Sequence, residues 1–224
     1  MLLVHSPLVG PLMLEPLGEQ LRARGFEVSL PDLRPALDAP APLWRALVDR
    51  VVSLADATDV LVGHSGAGVL LPRLADHFDP QALVFVDAVV PSDGSFHVAS
   101  RRFVEFVGTL AHQGSRLPPW HEWWGDDAIA SLVPDAEQRH RITVEVPCVP
   151  RSFYDEHVPL PTGWATRRGC AYLQLSAAYD DDRARAEAYG WPTARMDGQH
   201  LDVAVRPADV AIALVALVED GRPP

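Results

Sequence analysis

The decapeptide Asp59–Gly68, DVLVGHSGAG, constrains the chain most. Three apolar residues, Val60, Leu61 and Val62, run into Gly63-His64-Ser65-Gly66-Ala67-Gly68, and a helix-like pattern of Val69, Leu70, Leu71 and Leu74 begins at once. That order predicts a buried strand, a very tight turn and a helix, with a serine at the apex. A turn this sharp crowds the serine backbone against the residues two positions away on each side, and Gly63 and Ala67 are both small. It lifts the hydroxyl clear of the sheet and aims the Gly66 N–H and the helix start at whatever reacts there. A hydroxyl is a weak nucleophile until a base takes its proton, so the turn predicts a histidine elsewhere. A glycine-rich turn that holds a phosphate, or nothing, is the competing reading. The strand pattern before it and the helix pattern after it favour catalysis.

The rest of the chain alternates in the same way. Leu2-Leu3-Val4 reads as a strand, Leu12–Arg24 as an amphipathic helix stopped by Gly25, and Phe26–Leu30 as a strand bounded by Pro31. Leu43–Ala55 reads as a helix with Trp44, Leu47, Val48, Val51 and Val52 inward. Pro72, inside the helix after Ser65, predicts one lost backbone bond and a kink. Gln81–Val86 is a continuous apolar run, expected of a central strand covered on both faces, and it ends at Asp87. Cys170–Leu175 and Thr193–Met196 are later strands; Asp181–Tyr189 and Val203–Val218 are helices. This alternation predicts a three-layer α/β/α sandwich with a mostly parallel sheet of about six strands. A site is expected at the carboxyl ends of the strands, where Leu8, Ser65 and Asp87 fall. Between Ser92 and Arg168 no comparable strand occurs, and four of the six tryptophans lie there. We read residues 1–91 and 169–224 as one core and residues 92–168 as an inserted helical lid within a single domain. Trp120, Trp124 and Trp164 are candidates to line an apolar pocket over Ser65; gluing the lid to the sheet is the alternative.

The segment around Ser65 resembles the nucleophile elbow of the α/β-hydrolase superfamily, with Ala67 where that family usually has glycine. The resemblance makes Leu2–Val4 the strand leading to the oxyanion loop, here His5-Ser6-Pro7-Leu8. Pro7 cannot donate, which leaves the N–H of Leu8, then that of Ser6, to join Gly66 as oxyanion donors. His5 is better read as a structural histidine. The resemblance places the general base at His200, in Gly198-Gln199-His200-Leu201 just past the last strand, ahead of His5, His64, His77, His97, His112, His121, His140 and His157. His64, beside the nucleophile, reads as a scaffold residue. The family acid usually follows the next-to-last strand, where this chain has Ser176-Ala177-Ala178-Tyr179-Asp180-Asp181-Asp182. Tyr179 stands about where the aspartate is expected and Asp180 one residue late. Some relatives take the acid from the preceding strand, which is the place of Asp87. Both carboxylates therefore stay open, with Asp87 preferred because a carboxylate ending a buried strand needs a partner.

Composition narrows the chemistry. With 224 residues and 48% of them apolar, the chain can bury one sizeable core. A net charge of −11 argues against nucleic acid and anionic membrane as partners, so a small-molecule substrate is the expected one. No apolar run has the length of a membrane span, and Met1-Leu2-Leu3-Val4 lacks the basic region of a signal peptide, so a cytoplasmic location is expected. Cys148 and Cys170 read as ordinary thiols. The chain has no lysine, which rules out Schiff-base chemistry on the protein, and no asparagine, which leaves oxyanion stabilisation chiefly to backbone N–H groups. His112, His121, Glu122 and His140 lack H-E-x-x-H spacing; no metal and no cofactor is expected.

These readings converge on a serine hydrolase for a carboxylic ester or thioester with a hydrophobic or aromatic acyl part. Ser65, His200 and Asp87 would form its triad, with Gly66 and Leu8 as oxyanion donors. Fold alone does not give function. The resemblance also admits lyases, cyclases or epimerases in which Ser65 only positions the substrate, and a non-catalytic small-molecule binding protein is a third class.

Overall fold

The computed structural model describes residues 1–92, 94–110, 115–167 and 169–220. His112, one of the competing histidines, lies outside them. Five parallel strands form the main sheet: β1 (Leu2–Val4), β2 (Val60–His64), β3 (Ala82–Val86), β6 (Gly169–Gln174) and β7 (Thr193–Arg195), in the spatial order β1-β2-β3-β6-β7. The register runs Val4↔Gly63, Gly63↔Phe85 and Phe85↔Tyr172, which brings the carboxyl ends of the central strands level. The sixth strand expected at Phe26–Leu30 is reduced to a single bridge at Ser29, which exchanges two backbone bonds with Met1 and Leu3. β1 is only three residues long, so there is little edge for it to pair with.

Successive strand residues point to opposite faces, and each face has its own core. Leu61, Leu83, Phe85 and Tyr172 pack on one side against the helices α2 (Leu43–Leu54), α3 (Leu71–Phe78) and α8 (Asp180–Ala188). Val60, Val62, Val84, Val86, Ala171 and Leu173 pack on the other against α1 (Glu15–Arg22), α9 (Asp202–Val205) and α10 (Pro207–Asp220). These are the three layers. On α2, Leu43, Trp44, Leu47 and Val51 are buried. At roughly 2 kcal/mol for each large side chain, that outweighs propensity differences of tenths of a kcal/mol. Pro72 does not kink a helix. Residues Ser65–Leu70 form a 3₁₀ turn, α3 starts at Leu71, and Pro72 falls in its first turn, where a missing N–H breaks no bond.

Between β3 and β6 the chain adds a long segment that packs on both cores, with Val98, Val107, Leu117 and Phe153 in one and Ile129, Val133 and Ile142 in the other. It contains a two-stranded antiparallel ribbon, β4 (Ser95–His97) with β5 (His157–Pro159), and the helices α4 (Arg101–Leu110), α5 (Asp126–Leu132), α6 (Ala136–Thr143) and α7 (Trp164–Arg167). Carboxylates tie it down. Glu156 accepts the Leu43 and Trp44 N–H groups at 2.7 and 3.0 Å and so caps α2, while Glu145 accepts the Leu12 N–H and pairs with Arg34 at 3.3 Å. No helix among the described residues is long and apolar enough to cross a membrane.

Candidate active site

Ser65 follows the last residue of β2 and has φ 58°, in the left-handed region that residues other than glycine seldom adopt. Its surroundings hold it there. The Val89 N–H donates to the Ser65 carbonyl at 3.1 Å, and a Cβ on Gly68 would stand 2.0 Å from the Val89 carbonyl oxygen. On the other flank a Cβ on Gly63 would meet Leu71 at 2.9 Å. The turn is therefore wedged between α3 and the segment leaving β3. Sequence reasoning found Gly63 and Ala67 as the small flanking residues; Gly68 is the tighter requirement.

β3 delivers Asp87, fully buried, with φ 42°. Oδ1 accepts the Leu175 and Ser176 N–H groups at 2.8 and 3.0 Å; Oδ2 accepts the Ser176 hydroxyl at 2.6 Å and His200 Nδ1 at 2.8 Å. Burial works to raise this carboxyl's pKa, but the hydrogen bonds and charge of His200, with those of Ser176 and Leu175, outweigh it and hold the group below its ordinary value. Asp180 is elsewhere: it is exposed and accepts Gln174 Nε2 at 2.5 Å.

His200 hangs from the turn after β7 with its side chain 21% exposed. Because Nδ1–H donates to Asp87, Nε2 carries the lone pair of the neutral ring. The ring lies between two others. His64 stacks on it at 4.5 Å and 23°, and Tyr179 stacks at 5.0 Å and 17°. His64 also donates from Nε2 to the His200 carbonyl at 3.0 Å. Burial first, and the neighbouring His200 second, push the His64 pKa down to about 3, so it is a neutral support. His5 is likewise structural. It accepts the Leu33 N–H at Nε2 and donates from Nδ1 to the Ser6 carbonyl, and burial pushes its pKa down to about 4.

Tyr179 is the residue that sequence reasoning left without a role. It ends the short 3₁₀ turn Ala177–Tyr179 after β6, and its hydroxyl lies 3.0 Å from Ser65 Oγ. Among the described residues this is the hydrogen bond that the Ser65 hydroxyl makes; it does not bond to His200. Burial raises the phenol's pKa, so the group stays protonated. The signal was its position, where an acid was expected. Ser176 was also missed, and only the fold brings it to Asp87.

The Leu8 N–H donates to Ser6 Oγ at 3.3 Å, and that same oxygen lies 3.2 Å from where a Gly66 Cβ would be. Leu8, Ser6 and Gly66 thus converge. Gly66 is in the first turn of its 3₁₀ helix, where N–H groups have no partner within the helix.

The tryptophans separate into two groups. Trp124 is 52% exposed, stacks on Phe106 at 5.7 Å and touches Trp120 at 5.8 Å and Trp123 at 5.5 Å. Phe103 joins this cluster to Tyr154 at 5.3 Å. Trp164 is buried with Phe85, Trp191 and Tyr189, against the sheet and away from the other two. Among the described residues no group of three or more histidine, cysteine, aspartate or glutamate side chains could hold a metal ion.

No protein-family model and no curated protein matches the chain. Solved structures do. An extracellular α/β-hydrolase from a Paenibacillus species, described as sharing structural and functional homology with tobacco salicylic acid binding protein 2, is 18% identical with a TM-score of 0.74 over 96% of this chain and 97% of that one. Polyneuridine aldehyde esterase is 18% identical with a TM-score of 0.72, covering 97% and 98%. A variant of tomato methylketone synthase I, complexed with β-ketoheptanoate, is 12% identical with a TM-score of 0.72, covering 99% and 98%. The likeness extends over nearly the whole length in each case, and the chain has the α/β-hydrolase fold.

Proposed function

We propose that the protein is a serine hydrolase that cleaves a carboxylic ester or thioester with a hydrophobic or aromatic acyl part. The observation that carries this reading is the 2.8 Å bond from His200 to the buried Asp87, beside a serine held at positive φ. Asp87 fixes the tautomer that leaves Nε2 free as a base. Ser65 turns about its side-chain bond from Tyr179 toward His200, gives up its proton and attacks the carbonyl carbon. The Gly66 N–H holds the oxyanion, joined by the Leu8 N–H once the substrate oxygen replaces Ser6 Oγ. The His200 imidazolium protonates the leaving group, and water then releases the acyl chain.

Residues 92–168 act as the lid in this reading, and Trp120 and Trp124 line its apolar side. Trp164 supports the lid from the core instead. The esterase and hydrolase names among the similar structures support the reaction class.

The bond from Ser65 to Tyr179 favours a second reading, in which the His200–Asp87 pair moves a proton and Ser65 only positions a substrate. A panel of aryl esters and acyl thioesters, assayed with the wild-type chain and Ser65→Ala, separates the two. Hydrolysis that falls by about 10³-fold or more in the variant supports the hydrolase. No hydrolysis of any member by the wild-type protein overturns it.

A further inference from the structure

The geometry points to Tyr179 as a fourth catalytic residue: its hydroxyl donates a hydrogen bond to the leaving-group oxygen while His200 protonates it. This rests on the hydrolase reading above and adds to it the class of substrate for which the site is built, esters of alcohols that are poor leaving groups.

Three observations carry the inference. The Tyr179 hydroxyl is 3.0 Å from Ser65 Oγ, the atom that attacks. Its ring is laid on the face of the His200 ring, 5.0 Å between centroids at 17°. Of the groups expected to hold the oxyanion, the Leu8 N–H donates to Ser6 Oγ, and the same oxygen lies 3.2 Å from where a Cβ on Gly66 would stand. When Ser65 Oγ bonds to the acyl carbon, the tetrahedral intermediate has its oxyanion toward Gly66 and Leu8. Its other oxygen, that of the leaving alcohol, faces the base that must protonate it. Tyr179 reaches Ser65 along that base, so its hydroxyl, freed when Ser65 turns toward His200, meets the departing oxygen. The Tyr179 side chain is half-buried, and desolvation of the phenol keeps its proton in place at neutral pH.

The step balances without a further reactant. The bond from acyl carbon to alcohol oxygen breaks with its electron pair on oxygen. The His200 Nε2 proton moves to that oxygen, and Tyr179 donates a hydrogen bond throughout and keeps its own proton. Such a donor matters most where negative charge on the leaving oxygen is worst tolerated. A nitrophenolate departs readily without help, whereas an alkoxide does not.

The test is the leaving-group dependence of kcat/KM for Tyr179→Phe, which removes one oxygen and keeps the ring on His200. Esters of one aromatic acid would be assayed, with leaving groups from p-nitrophenol through phenol to primary alcohols. We expect a loss of under about threefold for the nitrophenyl ester and of roughly ten- to a hundredfold for the alkyl esters, with KM little changed. The plot of log kcat/KM against leaving-group pKa then becomes steeper in the variant. An equal loss across the series, or no loss, overturns the role of Tyr179 while the wild-type activity keeps the hydrolase reading standing. If the wild-type protein hydrolyses no ester in the series, this inference falls; if it also hydrolyses no thioester of the wider panel, the hydrolase reading falls with it.

Discussion

Asp87 and His200, 113 residues apart in the chain, meet through a 2.8 Å bond from Nδ1 to a carboxylate that accepts three further hydrogen bonds from Leu175 and Ser176. The aspartate therefore both fixes the ring and closes the gap between the ends of β3 and β6.

Asp87→Asn should lower kcat/KM for an aryl ester by about 10⁴-fold, because an amide can donate to Nδ1 and so select the wrong tautomer of His200. Asp180→Asn, at an exposed carboxylate bonded to Gln174, should stay within a few-fold of wild type. Steady-state kinetics of the two variants, with circular dichroism to check folding, decides the assignment; the reverse order would give the role to Asp180.

Stability should fall as pH drops below about 6.5. His5 and His64 are buried and neutral, with pKa values pushed down by burial to about 4 and about 3, whereas in the unfolded chain both bind protons near 6.5. The unfolded state thus binds more protons in this window, and each histidine contributes a slope of up to about 1.4 kcal/mol per pH unit. Asp87 acts later and with the acid's sign. Its lowered pKa stabilises the fold above about pH 4, and that stabilisation is lost as pH falls through the folded value. Urea unfolding at pH 7.5, 6 and 5 measures the slope, and His5→Gln should reduce it by about one proton.

The turn at Ser65 makes a packing prediction. In Gly68→Ala the new Cβ would collide with the backbone of Val89, which carries its own bond to Ser65, and about 3 kcal/mol of stability should be lost. In Gly63→Ala the obstacle is the flexible Leu71 side chain, and about 1 kcal/mol is expected. Thermal and urea melts of the two variants would show the ranking; equal losses would contradict the wedge described at Ser65.

Much of this architecture was legible because buried parallel strands write themselves as short apolar runs: Val60–Val62, Leu83–Val86 and Cys170–Leu173 are such runs. Phe26–Leu30 misled because alternation records which residues face inward, not whether a neighbouring strand is long enough to pair with. The acid remained open between two aspartates, since which carboxylate meets His200 depends on strand-end geometry across more than a hundred residues. Tyr179 was visible only as a misfit in a pattern. Its contact with Ser65 spans 114 positions and leaves no local trace. Trp164 lay in a proline- and glycine-rich stretch where no periodicity tells a sheet-facing ring from a site-facing one, and its contacts with Phe85 and Trp191 put it against the sheet.

The central claim is that Ser65 is an activated nucleophile, and covalent labelling measures that directly. The folded protein, treated with a fluorophosphonate and analysed by peptide mass spectrometry, should carry a single adduct on Ser65. The adduct should be absent in Ser65→Ala and form at least about 10²-fold more slowly in His200→Ala. A folded wild-type protein that stays unlabelled beside a reactive control hydrolase would contradict the account.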